Sequence, residues 1–406
     1  MATLKIKFKP CEVPELRKAQ NVIKKPNFFL PFLSLLSILM ASCAPQAAAP
    51  TPDMGPALTQ ALQTAFAQLQ PTASPVPTDT PVPPPTAVRT PPALPATFVA
   101  GQLNPADTPH TYVQDACEYI HNKWNSNNAA PGTVVMVVML HGVDREQASD
   151  VNDISVQDFR RMMNDLKEQG FEAINATQMA DFMDHNARIP PRSVLLISDD
   201  RHQGAYFNDH FRPFYEQWGW PVVNAWISFE DGPRAISLED NIALEAEGWV
   251  DHQSHGYIHN INMSDSSPDE FIRTEFEKSI ADLQTNFNKT PVAIIWPGGG
   301  FGVKPVQIAR EYGFRLGFTV NPRGPVMYNW VPLADQPDSN RPAFLPEGHV
   351  NDPRMVLPRY WPYQVQSNLD TVRTIGKDAA AYAEQYKAAE LEYYDIMCAP
   401  AMGAIP

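Results

Sequence analysis

From about Thr133 onward, short apolar runs alternate with stretches whose apolar residues recur at helical spacing. Residues 134–140 and 194–197 are continuous apolar runs of strand length. Residues 172–174, 222–227, 249–253, 292–295 and 316–319 supply five further strand candidates. Between them the pattern predicts helices over 156–169, 177–186, 207–218, 239–247, 268–287 and 304–312, with a last one over 364–398. Alternating strands and helices imply a parallel sheet with helices outside it. Seven such strands suit a closed or nearly closed (β/α) barrel, whose chemistry sits where strands end and loops begin. Residues 320–355 are rich in Pro, Asn and Asp and read as long loops.

The first hundred residues have a different texture. Lys5, Lys7, Lys9, Arg17, Lys18, Lys24 and Lys25 precede an apolar run at 28–40 that Pro31 interrupts. That run is too short for a comfortable membrane span. A basic segment, a short apolar segment and small residues before a cut describe a secretory signal. Leu39-Met40-Ala41-Ser42-Cys43 resembles a bacterial lipobox, with Met40 where Leu is commoner. It implies a lipid on Cys43, a mature chain that starts there, and an extracytoplasmic, membrane-anchored protein. Leu58, Leu62, Phe66 and Leu69 predict a short amphipathic helix at 54–70. Ten prolines between 71 and 95 then form a Pro/Thr tract that stays extended, at about 3.1 Å per residue, and cannot pack a core. The domain expectation is a signal at 1–43, a disordered linker at 44–100, a lead-in at 101–132, one barrel domain at 133–362, and a C-terminal helix and tail at 363–406.

Composition narrows the function. Hydrophobic residues make up 44% of 406, enough for a sizeable core. A net charge of −14 argues against a nucleic-acid binder, which would show a basic face. Of the four cysteines, none has Cys-x-x-Cys spacing, which argues against a structural zinc site or redox motif. With Cys11 removed and Cys43 lipidated, Cys117 and Cys398 remain and could pair in an oxidising compartment.

Two segments carry the chemistry. The apolar strand at 194–197 runs into Ser198-Asp199-Asp200, placing two carboxylates at the barrel mouth, one able to bind a cation while the other takes a proton. The second, Trp249-Val250-Asp251-His252-Gln253-Ser254-His255-Gly256-Tyr257-Ile258-His259, sets His255 and His259 four apart, facing the same way if they share a helical turn. Two His and one carboxylate suit zinc or a similar divalent ion with a position left open for water.

Leu195-Leu196-Ile197-Ser198-Asp199-Asp200 resembles the Thr-Phe-Asp-Asp-Gly motif of the polysaccharide deacetylases, the NodB-homology domains of carbohydrate esterase family 4. Ser254-His255-Gly256-Tyr257-Ile258-His259 resembles that family's second motif in its Ser-His-x-x-x-His form. Ile295-Trp296-Pro297-Gly298-Gly299 stands where the family has Arg-x-Pro-Tyr-Gly, and Met139-Leu140-His141-Gly142 resembles the lead-in. The likeness covers roughly 133–361 and implies a distorted (β/α) barrel of the deacetylase type. It implies Asp199 as general base, Asp200, His255 and His259 as ligands of a divalent metal, most simply zinc, and the backbone N–H near Gly298 as oxyanion donor. The implied substrate is an N-acetylated glycan, and the products a free amine and acetate. Three departures stand out. Arg201 replaces the motif Gly. Ile295 replaces the Arg that steadies the base, a role left to Arg201 or Arg359. No His matches the last motif, where Leu357-Pro358-Arg359-Tyr360-Trp361 falls and His349 and His202 are poor matches. The missing His leaves open a metal-containing glycan-binding surface lipoprotein without turnover, and a deacylase for a non-sugar amide is a third reading. Among the aromatic residues, Trp296 and Trp361 are the candidates for stacking on sugar.

Overall fold

The structure is a computed structural model that describes residues 55–68, 89–144, 147–148, 152–259, 261–337 and 345–406. The signal, Cys43 and most of the Pro/Thr tract lie outside the described residues. The chain divides into two compact units, 1–84 and 85–406. In the first, Gly55–Gln68 is a helix, with Leu62 exposed.

The second unit is built on parallel strands β1 (Val134–Leu140), β2 (Arg192–Ser198), β3 (Val222–Trp226), β4 (Val250–Ser254), β5 (Ala293–Ile295) and β6 (Leu316–Phe318), hydrogen-bonded in that order. The apolar run of β1 is continuous because both its faces are covered, whereas β4 buries the polar residues Asp251, His252, Gln253 and Ser254. In β1, Val135 and Val137 join Leu195, Ile197, Val223, Ala225 and Ile294 in one core cluster. The alternate residues Val134, Met136, Val138 and Leu140 pack into a second cluster with the helices.

Those helices are α1 (Val156–Glu168), α2 (Ala176–His185), α3 (Gly232–Glu247), α4 (Asp269–Phe287), α5 (Val303–Glu311) and α6 (Pro362–Met397). α1 shows the local logic. Ser155 caps its start by accepting the Asp158 N–H at 3.0 Å, and Phe159, Met162, Met163 and Leu166 form its buried stripe. The helix expected over 207–218 is two short ones, Gly204–His210 and Arg212–Trp218, with Pro213 in the first turn of the second.

The strand expected at 172–174 is not a member of the ring. It is the two-residue strand Glu172–Ala173, which pairs with Ser193 and Val194 at the start of β2, while β3 pairs with Ile197 and Ser198 at its end. The place between β6 and β1 is taken by residues 357–360. Leu357 N–H donates to the Gly317 carbonyl at 2.8 Å and its own carbonyl accepts from Thr319. Tyr360 N–H donates to the Val137 carbonyl at 2.8 Å, and Met139 N–H donates back to Tyr360. The segment thus bridges both neighbours in parallel and completes the ring. Pro358 lacks an N–H, yet the ladder tolerates it because Leu357 and Tyr360 make these bonds.

Residues 95–98 pass beneath the opposite, N-terminal end of the barrel. Tyr382 Oη–H donates to the Ala96 carbonyl at 2.8 Å, and the Trp330 indole donates to Phe98. Cys117, in the first turn of the helix Ala116–Trp124, is bonded to Cys398 at the end of α6, across 281 residues of sequence. Closing so long a loop removes entropy from the unfolded chain, a stabilisation of roughly 2–4 kcal/mol. Reduction, or the Cys117→Ser, Cys398→Ser pair, should lower Tm with little change in the circular dichroism of the folded domain. An unchanged Tm would show that the bridge does not constrain the domain.

Candidate metal centre

β2 delivers two acids to the mouth in different environments. The Asp199 N–H closes the ladder on the Leu140 carbonyl at 2.6 Å, and its side chain turns inward and is buried. Asp200 leaves the strand with φ +68 and keeps 42% of its side chain exposed. Burial would push the Asp199 pKa up, but Arg359, aided by His255, more than offsets it and holds the carboxyl below its ordinary range. The Arg359 pairing is bidentate, Nη1 to Oδ1 at 2.6 Å and Nη2 to Oδ2 at 2.9 Å, with both side chains buried. Arg359 reaches Asp199 because the ring-closing segment carries it. Arg201, the other candidate for that position, instead pairs with Asp231 and donates to the Phe229 carbonyl.

β4 delivers the imidazoles. His255 N–H bonds the Trp226 carbonyl at 3.0 Å, and its Nδ1–H donates to the Ile295 carbonyl at 2.8 Å, which leaves Nε2 as the free lone pair. Burial, then the neighbouring His259, drive the His255 pKa down to about 4, so the ring is neutral near pH 7. Residues 255–259 do not form the expected helical turn. Gly256 and His259 both take left-handed backbone, φ +75 and +68, and the segment is a tight loop. Glu275 of α4 holds it, accepting the N–H of Tyr257 at 2.7 Å and of Ile258 at 3.0 Å. A Cβ on Gly256 would sit 2.9 Å from both Glu275 and Pro297, so glycine is required there. Glu275 escaped the sequence reading because nothing in its own helix marks it.

The loop brings His259 Nε2 to 3.3 Å and His255 Nε2 to 3.8 Å from Asp200 Oδ1. One ligand atom from each of the three residues lies within 4.8 Å of the other two. Bonds of about 2.1 Å in a tetrahedron separate ligand atoms by roughly 3.4 Å, so the set fits a zinc-sized ion. Asp200 and His259 are non-glycine residues with left-handed backbone, strain of a kind that collects at functional sites.

Other residues singled out by sequence fall as follows. Gly298 lies in the one-turn helix Pro297–Gly299 after β5, with φ +56, and a Cβ there would run into the Asn262 side chain. Trp296 is fully buried and donates to the Met355 carbonyl, so the expectation that it stacks on sugar is corrected: it is core. Trp361 is half-buried, stacked between His141 at 6.0 Å and the exposed Tyr363 at 6.5 Å. His202 stacks on Tyr206 and bonds the Asp199 carbonyl, and His349 sits in the one-turn helix Glu347–Val350.

His141 was missed. It follows β1 directly, 26% of its side chain is exposed, and its Nε2 lies 3.8 Å from Asp199 Oδ2. Its Nδ1 has no partner among the described residues. Its place at a strand's C-terminal end was the available signal.

Residues 228–317 match the family described as polysaccharide deacetylase. The match runs from the loop after β3 into β6 and contains His255, His259 and Gly298. No curated protein matches the chain. Among solved structures, the chain is similar to the deacetylase PplD of Streptococcus pyogenes in complex with acetate, at 19% identity over 60% of this chain and 99% of that one, with a TM-score of 0.47. It is similar to IcaB from Ammonifex degensii at 18% identity over 61% and 100%, with a TM-score of 0.44. BC0361, a polysaccharide deacetylase from Bacillus cereus, aligns at 17% identity over 58% and 69%, with a TM-score of 0.42.

Proposed function

We propose that this protein is a metal-dependent hydrolase that removes N-acetyl groups from a cell-surface or extracellular polysaccharide. The observation that carries the reading is the convergence of Asp200, His255 and His259 beside a separate buried carboxylate, Asp199, held ionised by Arg359. The family match at 228–317 supports the substrate class.

The three ligands would hold a divalent ion, and their two imidazoles and one carboxylate favour zinc. Such an ion supplies Lewis acidity to the acetyl carbonyl and acidifies water. Asp199 takes the proton of the attacking water, its lone pairs aimed by the bidentate grip of Arg359. A backbone N–H near Gly298 would serve as the donor to the oxyanion, and since the Gly299 and Gly300 N–H groups already donate to Trp296 and Pro297, that of Gly298 itself is the candidate. His141, on the Trp361 side of Asp199, donates a proton to the departing nitrogen. Water and the amide become acetate and a free amine. Trp361 and Tyr363 offer a sugar ring a stacking surface at the rim.

The lipid on Cys43 and the extracytoplasmic location belong to the same proposal. The Cys117–Cys398 bond supports them, because disulfides persist in oxidising compartments. The Pro/Thr tract then serves as the spacer between anchor and domain.

The test is acetate release from N-acetylglucosamine oligomers and acetylated polysaccharides by zinc-loaded protein. No release from any of them removes the proposal. His141→Asn should lower kcat by about a hundredfold with unchanged metal content. A variant at the wild-type rate would take the proton-donor role from His141.

A further inference from the structure

Behind Arg359 lies a buried charged network that the reaction scheme does not use. Arg323 is almost fully enclosed, and Asp107 and Glu347 have no exposed side-chain surface. Arg323 Nη1 donates to Asp107 Oδ1 at 3.1 Å, and its Nη2 donates to Glu347 Oε1 at 3.1 Å. The same Glu347 oxygen accepts from Asn321 Nδ2 at 2.8 Å. Asp107 opens the short antiparallel ribbon formed by Asp107–His110 and Val331–Ala334. Glu347 opens the one-turn helix Glu347–Val350.

The network meets the active site through the backbone of 319–321. The Asn321 carbonyl accepts the Arg359 N–H at 3.2 Å. The Thr319 carbonyl accepts Arg359 Nε–H at 2.6 Å, which fixes the plane of the guanidinium whose other edge holds Asp199. Thr319 in turn donates its N–H and its hydroxyl to the Leu357 carbonyl, tying the loop to the segment that carries Arg359. A guanidinium bonded at Nε, Nη1 and Nη2 has one orientation only, and that orientation is no better defined than the loop supplying the Nε acceptor.

We infer that Glu347, Arg323 and Asn321 are positioning residues for the Arg359–Asp199 pair, setting the geometry of the general base from behind. The inference rests on the reading of Asp199 as that base. Buried ion pairs give little stability relative to apolar packing of equal volume, so a positional role accounts for placing two carboxylates and an arginine here.

The test is a double-mutant cycle with Glu347→Gln and Arg359→Lys in the full-length, metal-loaded protein. Glu347→Gln should lower kcat about tenfold with KM and metal stoichiometry unchanged. In the Arg359→Lys background the same substitution should change kcat less than about twofold, because the group it acts through is already gone. A merely structural role would give the same factor in both backgrounds, and that result overturns the inference. The second readout needs no activity: proton exchange at Arg359 Nε–H, followed by NMR, should quicken in Glu347→Gln while the amides pairing β1 with β2 stay protected. Unchanged exchange also overturns it. If the wild type released no acetate, the proposed function would fall and the exchange measurement alone would decide whether the network holds Arg359.

Discussion

Replacing His255 with Ala is expected to empty the metal centre and abolish acetate release. His255 is the most tightly specified of the three ligands. Its Nδ1–H is fixed by the Ile295 carbonyl, its ring is buried, and its pKa of about 4 keeps Nε2 unprotonated near pH 7. The pair left behind is a half-exposed carboxylate and one imidazole, too few for stable coordination. Losing partners that merely orient a ligand costs about 10–100-fold in metal affinity, so losing the ligand itself should cost more. Elemental analysis of purified wild type and variant gives the first comparison. The second is chelation followed by zinc, which should restore the wild type and leave His255→Ala inactive. Equal metal content and equal turnover in the two proteins would dismantle the centre. A pH effect accompanies it in the metal-free form. The unfolded chain protonates this His near its ordinary value of about 6.5, whereas the folded one resists down to about 4. Its folded-state pKa is depressed, so the unfolded state binds the extra proton. Stability from this group is therefore present above that window and lost as pH falls through it.

Much of this arrangement is readable along the chain, and the unread parts share a cause. The apolar runs of β1, β5 and β6 and of 194–197 in β2 announce themselves because a parallel barrel buries both faces of its strands. The acids at 199–200 stand out because the apolar strand β2 turns polar at its C-terminal end, and the imidazoles at 255 and 259 because they follow a strand candidate directly. A spacing of four, in contrast, suits a helical turn and a bent loop alike. The choice is made by Gly256 and by Glu275, which lies on another element and bonds the backbone of 257–258. The ring-closing segment hides for a related reason. Pro358 and Arg359 interrupt its apolar pattern, and its pairing is visible only once β1 and β6 are in place. Trp296 lies in the core rather than at the rim because the Met355 carbonyl, just ahead of that segment, accepts its indole N–H. Between Arg201 and Arg359, charge and residue type are no guide. What separates them is that Asp231 claims the first and the barrel interior delivers the second.

Asp199→Asn should keep the metal and lose turnover by about 10²–10⁴-fold, the usual worth of a positioned general base. The substitution is nearly isosteric, and Asp199 is not one of the three residues whose ligand atoms converge. Its structural cost is distinct and falls on Arg359. That guanidinium is buried and has Asp199 as its counter-charge, with the Thr319 carbonyl as its other acceptor. An uncompensated buried charge costs about 3–5 kcal/mol, and an Asn amide would turn its own N–H toward one of the Arg359 donors. The single variant should therefore unfold at markedly lower temperature and be inactive even where it is folded. A second substitution, Arg359→Met, removes the stranded charge. The double variant should recover much of the lost stability and none of the activity, while both variants carry wild-type metal. This pattern separates a base from a structural acid: stability follows the charge balance of the pair, and turnover follows the carboxylate alone. Near-normal turnover in folded Asp199→Asn would take the base away from Asp199, and loss of metal in that variant would make Asp199 a ligand.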